Sequence, residues 1–106
     1  MARLLVVEKS ESKRYFLIHA LEHAGHAVAA ADSTDGALRL MAHGHYDLLL
    51  TNHVLAAGEG AEMARRVREQ DPKIHVLRDL QPTARVNPTP RELGELVSQV
   101  ESALAA

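Results

Sequence analysis

Short, unbroken apolar runs alternate along this chain with longer stretches in which apolar residues return every three or four positions. Leu4-Leu5-Val6-Val7, closed by Glu8-Lys9, has no polar interruption, as expected of a strand buried on both faces of a parallel sheet. From Glu11 to Ala24 the residues Tyr15, Phe16, Ile18, Leu21 and Ala24 recur at helical spacing. Ser10 or Ser12 can cap that helix, and Gly25 stands where a left-handed residue is needed to end it. Val28 to Ala31 reads as a second short strand. Ser33 or Thr34 can then cap a helix that turns Ala37, Leu38 and Met41 inward and stops at Gly44.

The same alternation continues. Asp47 to Asn52 is a third strand, and Ala61 to Gln70 a third helix with Met63, Ala64 and Val67 on its inner side. Asp71-Pro72 ends that helix, and Ile74 to Leu77 forms a fourth strand. The six residues Arg78 to Thr83 are too few for a helix with its two turns, and Pro82 opposes one. Ala84-Arg85-Val86 therefore follows as a fifth extended segment with no helix before it. Thr89 can cap the last helix, with Pro90 at its first position and Leu93, Leu96, Val97, Val100 and Leu104 along one face. Strands alternating with helices in this way predict an α/β fold: a five-stranded, doubly wound parallel sheet with its fourth helix missing or severely shortened.

Composition narrows the class. The 106 residues suit one domain, expected to span 1–106, and leave no room for a second. A formal net charge of −2 gives no general attraction to nucleic acid or to an anionic membrane. The absence of cysteine excludes disulfides and thiolate metal sites. Neither Leu4 to Val7 nor Leu48 to Leu50 could span a bilayer, so a cytoplasmic protein with no membrane contact is expected.

Two local clusters invite other chemistry. Four of the seven histidines, His23, His26, His43 and His45, flank helix-ending glycines, and histidine is favoured there by the helix dipole without any metal. Arg65, Arg66 and Arg68 lie among Glu62, Glu69 and Asp71, so that patch is largely self-neutralised. With only Tyr15, Phe16 and Tyr46 as aromatics, nucleic-acid recognition is not expected.

A specific resemblance adds to this reading. Leu4-Leu5-Val6-Val7-Glu8-Lys9 resembles the first strand and acidic pair of bacterial response-regulator receiver domains, and Tyr46-Asp47-Leu48-Leu49-Leu50-Thr51-Asn52 resembles the strand that ends in their phosphorylated aspartate. Ala56-Ala57-Gly58-Glu59-Gly60 is similar to their Pro-Gly-x-Asp-Gly loop, and Ala84-Arg85-Val86 with Thr89-Pro90 to their final strand and Lys-Pro pair. Met1-Ala2-Arg3, the Tyr46 to Thr51 strand and the Ala84-Arg85-Val86 start of the tail look closest to CpdR-type single-domain receivers of alphaproteobacteria. The resemblance implies a CheY-like, flavodoxin-like strand order 2-1-3-4-5.

The departures from the family are concentrated where its chemistry lies. A working receiver needs a carboxylate nucleophile, two further acidic groups for Mg²⁺, a hydroxyl and a lysine. Here Asn52 stands at the phosphoacceptor position, and a carboxamide cannot form a stable acyl phosphate. Glu8 keeps one acidic position, while Lys9 replaces the residue expected to bind the metal and places a cation there instead. The family's lysine falls on Thr89, or on Asn87 if Pro88 is taken as its partner, and the hydroxyl falls near Leu80 or at Thr83. His53, next to Asn52, can gate the pocket or be a loop residue. Glu8, Lys9, Asn52 and Thr89 thus read as a degenerate phosphorylation site, with no metal, no cofactor and no enzymatic activity expected.

The expected function is a phosphorylation-independent signalling or adaptor module acting through a protein partner, which the resemblance places in signalling or regulated proteolysis. The alternatives are phosphate accepted on a displaced residue such as Asp47, Asp79 or His53, and a small ligand bound in the vacated pocket. With the fourth helix missing, one face of the fourth and fifth strands should be bare. Val76, Leu77, Arg78, Leu80 and Val86 are therefore the expected contacts for a partner or a second copy.

Overall fold

The computed structural model describes residues 2–52, 59–80 and 90–105. Within them the chain forms β1 (Arg3–Val7), α1 (Glu11–His23), β2 (Ala27–Ala31), α2 (Thr34–His43), β3 (Leu48–Asn52), α3 (Glu59–Gln70), β4 (His75–Leu80) and α4 (Pro90–Ala105). The four strands are ordered β2-β1-β3-β4, and every pair is parallel. The 2-1-3-4 order agrees with the flavodoxin-like arrangement. The expected fifth strand around Ala84-Arg85-Val86, and the place where a fourth helix would normally lie, fall outside the described residues.

The uninterrupted apolar runs are explained by burial on two faces. Along β1 and β3, Leu4, Val6, Leu48 and Leu50 turn to one side and pack with Leu21 of α1 and Leu96 and Val100 of α4. Leu5, Val7 and Leu49 turn to the other and pack with Ala37 of α2 and Met63 and Val67 of α3. Successive strand residues point to opposite faces, so a strand sandwiched between helices must be apolar at every position. Ser10 caps α1 by accepting from the Lys13 N–H at 3.3 Å, and Ser33 caps α2 by accepting from the Gly36 N–H at 3.1 Å. Each such cap contributes about 1 kcal/mol. Gly25, at φ 97°, takes the left-handed conformation that ends α1.

Several expectations need correction. Tyr15 belongs to the apolar series of α1 but is 60% exposed, and the inward stripe is instead Leu17, Ala20 and Leu21. Tyr15 packs outward against Phe16 and His19. The fourth strand was expected to stop at Leu77, yet β4 continues through Arg78, Asp79 and Leu80. Strand pairing is made by the backbone, and the ladder to β3 carries these residues along whatever their polarity. Nor is β4 bare at its start. Val76 is half-buried against the α2–α3 cluster and Leu77 against the α1–α4 cluster, because helices cover both sides of the strand there.

Candidate functional site

The strand order reverses between β1 and β3, since the chain leaves β1 for β2 on one side and returns to β3 on the other. At such a switch point the carboxyl ends of the two strands open a crevice, and ligands of open α/β sheets bind there. Val7 pairs with Thr51, so the next residues along the two strands, Glu8 and Asn52, stand side by side at this crevice. The ladder between β3 and β4 is irregular at the same level. Leu50 pairs with Leu77 but Asn52 with Leu80, which leaves β4 one residue longer over the interval. Irregularities of this kind re-aim backbone beside functional sites.

The β1–α1 turn is held from several directions. The Glu8 N–H donates to the Ala31 carbonyl at 3.0 Å, continuing the ladder with β2. The Glu8 side chain is only 5% exposed, and its Oε1 accepts from the Ser10 N–H at 3.1 Å. Arg14 reaches back from the first turns of α1. Its Nη1 donates to the Glu8 carbonyl at 2.8 Å and to the Lys9 carbonyl at 3.1 Å. Hydrogen bonds from a charged donor contribute about 1.5 to 3 kcal/mol each where water is partly excluded. Thr51, 2% exposed, donates from Oγ1 to the Val7 carbonyl at 3.3 Å and ties β3 to β1 directly below the crevice.

Of the four residues expected at the degenerate site, Glu8, Lys9 and the backbone of Asn52 therefore meet at one edge of the sheet, with Glu8 buried and Lys9 exposed. Thr89 lies outside the described residues, as do His53, Thr83 and Asn87. Arg14 was missed. Its signal was its position three and seven residues before Leu17 and Leu21, which puts a cation on the inward stripe of α1.

Among the described residues the donor set at this crevice does not fit a divalent cation. Mg²⁺ is held by carboxylates and water in near-octahedral geometry, whereas Glu8 is the single acidic residue of the β1–α1 turn and already accepts from Ser10. Lys9 beside it adds positive charge. No group of three or more side chains among the described residues could hold a metal ion elsewhere. His45 instead lies 3.2 Å from Asp47 and 3.7 Å from Asp71, and His26 accepts from the Ala2 N–H through Nδ1 at 3.2 Å. The basic patch on α3 is neutralised within its own helix only at Arg65, and among the described residues Arg68 pairs with none of the expected carboxylates. Arg65 pairs with Glu62 and Glu69, and Arg66 with Asp35. The hydrogen bond and charge of Arg65 lower the pKa of Glu62, and those of Glu62 raise the pKa of Arg65.

A parallel sheet in 2-1-3-4 order, with Glu8 just beyond the end of β1 and Asn52 closing β3, is the arrangement of a receiver-type domain. The profile of the response regulator receiver domain matches residues 4–78, and the chain belongs to that family. It is similar to the response regulator receiver protein CpdR of Brucella abortus (strain 2308), at 32% identity over 119 aligned positions covering 100% of this chain and 99% of that protein. Among solved structures it resembles a response regulator from Thermotoga maritima, with TM-score 0.80 and 18% identity over 100% of this chain and 99% of that one. It also resembles the chemotaxis response regulator CheY4 of Vibrio cholerae, with TM-score 0.77 and 23% identity over 97% and 98% of the two chains. These last two likenesses are of fold. Among the described residues no helix is long and apolar enough to cross a membrane.

Proposed function

We propose that this receiver works in the cytoplasm as a signalling or adaptor module through protein contacts, without phosphoryl transfer at Asn52. The observation that carries this reading is the composition of the crevice: a buried Glu8, an adjacent Lys9 and, at the end of β3, an asparagine. Phosphoryl transfer to a receiver needs a nucleophilic carboxylate and a metal that neutralises the incoming oxygens, and this site supplies neither. A fixed ammonium in place of an exchangeable divalent ion holds the surface around the crevice in one state. The similarity to CpdR supports a partner in a bacterial signalling or regulated-proteolysis network.

The partner face we assign comprises Val76, Leu77, Arg78, Leu80 and Val86. Only residues 81–89 separate β4 from α4. A segment of that length is short for a strand and a helix with their turns, which supports the reading that a partner meets the chain beside β4. Val76 and Leu77 are half-buried rather than free, so they form the floor of this face, which suits a partner or a second copy.

Incubation of the full chain with a small phosphodonor and Mg²⁺, followed by intact-mass measurement, tests the reading. An unchanged mass is expected. A phosphoryl adduct at any residue overturns it. Asp47 is a poor displaced acceptor, because it lies at the opposite end of the sheet with Oδ2 accepting from the Arg3 N–H at 2.8 Å.

A further inference from the structure

Among the described residues β2 is an edge strand with only β1 beside it. The Ala27 N–H donates to the Ala2 carbonyl, and the Ala31 carbonyl accepts from the Glu8 N–H. Groups along a strand alternate in direction, so Ala27, Ala29 and Ala31 turn their N–H and C=O toward β1. Val28 and Ala30 must turn theirs outward. No other segment of the described chain bonds to them. Natural edge strands are commonly protected by a charged residue, a proline or a bulge. The sequence Ala-Val-Ala-Ala-Ala carries no charge and no proline, and its pairing with β1 runs through five residues without a register shift.

The two helices flanking this edge belong to opposite layers, α1 to one and α2 to the other. At the end of β2, lined by residues of both helices, there is an open groove of about 490 Å³. Its walls include Arg14, Ala30, Asp32, Arg39, Leu40 and His43. Arg14 is anchored on the Glu8 and Lys9 carbonyls, and Arg39 donates from Nε to the Asp35 carbonyl at 3.4 Å. Neither guanidinium meets a carboxylate among the described residues. Each keeps further N–H donors, and among the described residues Asp32 is the one acidic residue lining the groove.

We infer that the free edge of β2 and this groove form a docking site for an extended acidic segment of a protein partner. The segment pairs its backbone with the outward groups of Val28 and Ala30 and sets carboxylates against Arg14 and Arg39. Strand addition to an open edge draws its affinity from main-chain hydrogen bonds and its selectivity from flanking side chains. Here the selectivity is electrostatic. A second copy of this chain is disfavoured at the same edge, because its own β2, Ala27–Ala31, carries no carboxylate to set against Arg14 and Arg39. The site lies apart from the β4 face and shares Arg14 with the turn that carries Glu8 and Lys9.

The test uses the full ¹⁵N-labelled chain and two end-blocked hexapeptides, one of alternating valine and glutamate and one of alternating valine and lysine. The glutamate peptide is expected to shift the Val28 and Ala30 amide signals and slow their exchange with solvent, and the lysine peptide to do neither. Arg39→Glu, on the exposed face of α2, should weaken the interaction roughly three- to tenfold with an unchanged thermal midpoint. Ala30→Pro removes an outward N–H that takes no part in the β1 ladder, and should abolish binding. If that variant does not fold, Arg39→Glu carries the decision alone. Equal binding of both peptides, shifts confined to other surfaces, no shift at all, or a dimer in sedimentation that protects Val28 and Ala30 would each overturn the assignment.

Discussion

Asn52 differs from an aspartate by one atom, yet the surroundings make that difference hard to reverse. Lys9 contributes a positive charge beside the crevice, and Glu8 is committed to the Ser10 N–H. Restoring the carboxylate at Asn52 alone supplies a nucleophile without a place for the metal that must accompany the phosphoryl group. Asn52→Asp is therefore expected to remain unlabelled by a small phosphodonor and Mg²⁺ in an intact-mass assay. Its new carboxylate should instead bond with Lys9, because a charge-assisted hydrogen bond is stronger than a neutral one. The sequence picked out Glu8, Lys9 and Asn52 through the resemblance to receivers, and the pairing of β1 with β3 brings these positions together. Arg14 was not picked out, because its role is to reach backwards onto two carbonyls. Nothing in a sequence marks which backbone groups a long side chain will find.

At the scale of elements, two glycines make the same substitution act in opposite directions. Gly25 holds a left-handed backbone angle, and an added Cβ there meets nothing within 4 Å. The cost of Gly25→Ala is then purely conformational, about 1 kcal/mol. Gly94 lies inside α4, is exposed and also has open space around it. Gly94→Ala should stabilise by about 0.8 to 1 kcal/mol. Thermal melts of the two variants should move apart from the parent in opposite senses, each by roughly 4 to 8 °C for a domain of this size. β1 and β3, with their unbroken apolar runs, and α3 and α4, with their helical periodicity, were legible from the order of apolar residues alone. Tyr15 and the second half of β4 were not. An aromatic residue in an apolar series gives no sign that neighbouring Leu17 and Leu21 already fill the inward stripe. The polar Arg78 and Asp79 join β4 through a partner strand distant in sequence.

Across the whole molecule, the edge of the sheet opposite the crevice carries its own dependence on acid. The Arg3 N–H bonded to Asp47, aided by the hydrogen bond and charge of His45 and the charge of Arg3, holds that carboxyl below its ordinary value of 3.8, despite a smaller opposing effect of burial. A carboxyl whose folded pKa is depressed adds stability that is fully present above its unfolded pKa. That stability is lost as the pH falls through the folded one. The Asp47 side chain is 41% exposed, so solvent screening keeps the effect modest. In melts between pH 2 and 6, the midpoint difference between the parent and Asp47→Asn should be constant above about pH 5 and shrink below about pH 4.

The alternation of β1 and β3 between two clusters has a thermodynamic consequence. Leu48 and Leu50 serve one layer and Leu49, between them, the other. Neither layer can lose its helices without exposing strands that the other layer still needs. Melting should therefore be all-or-none, with the calorimetric enthalpy equal to the van't Hoff enthalpy and no stable half-molecule left when either pair of helices is cut away.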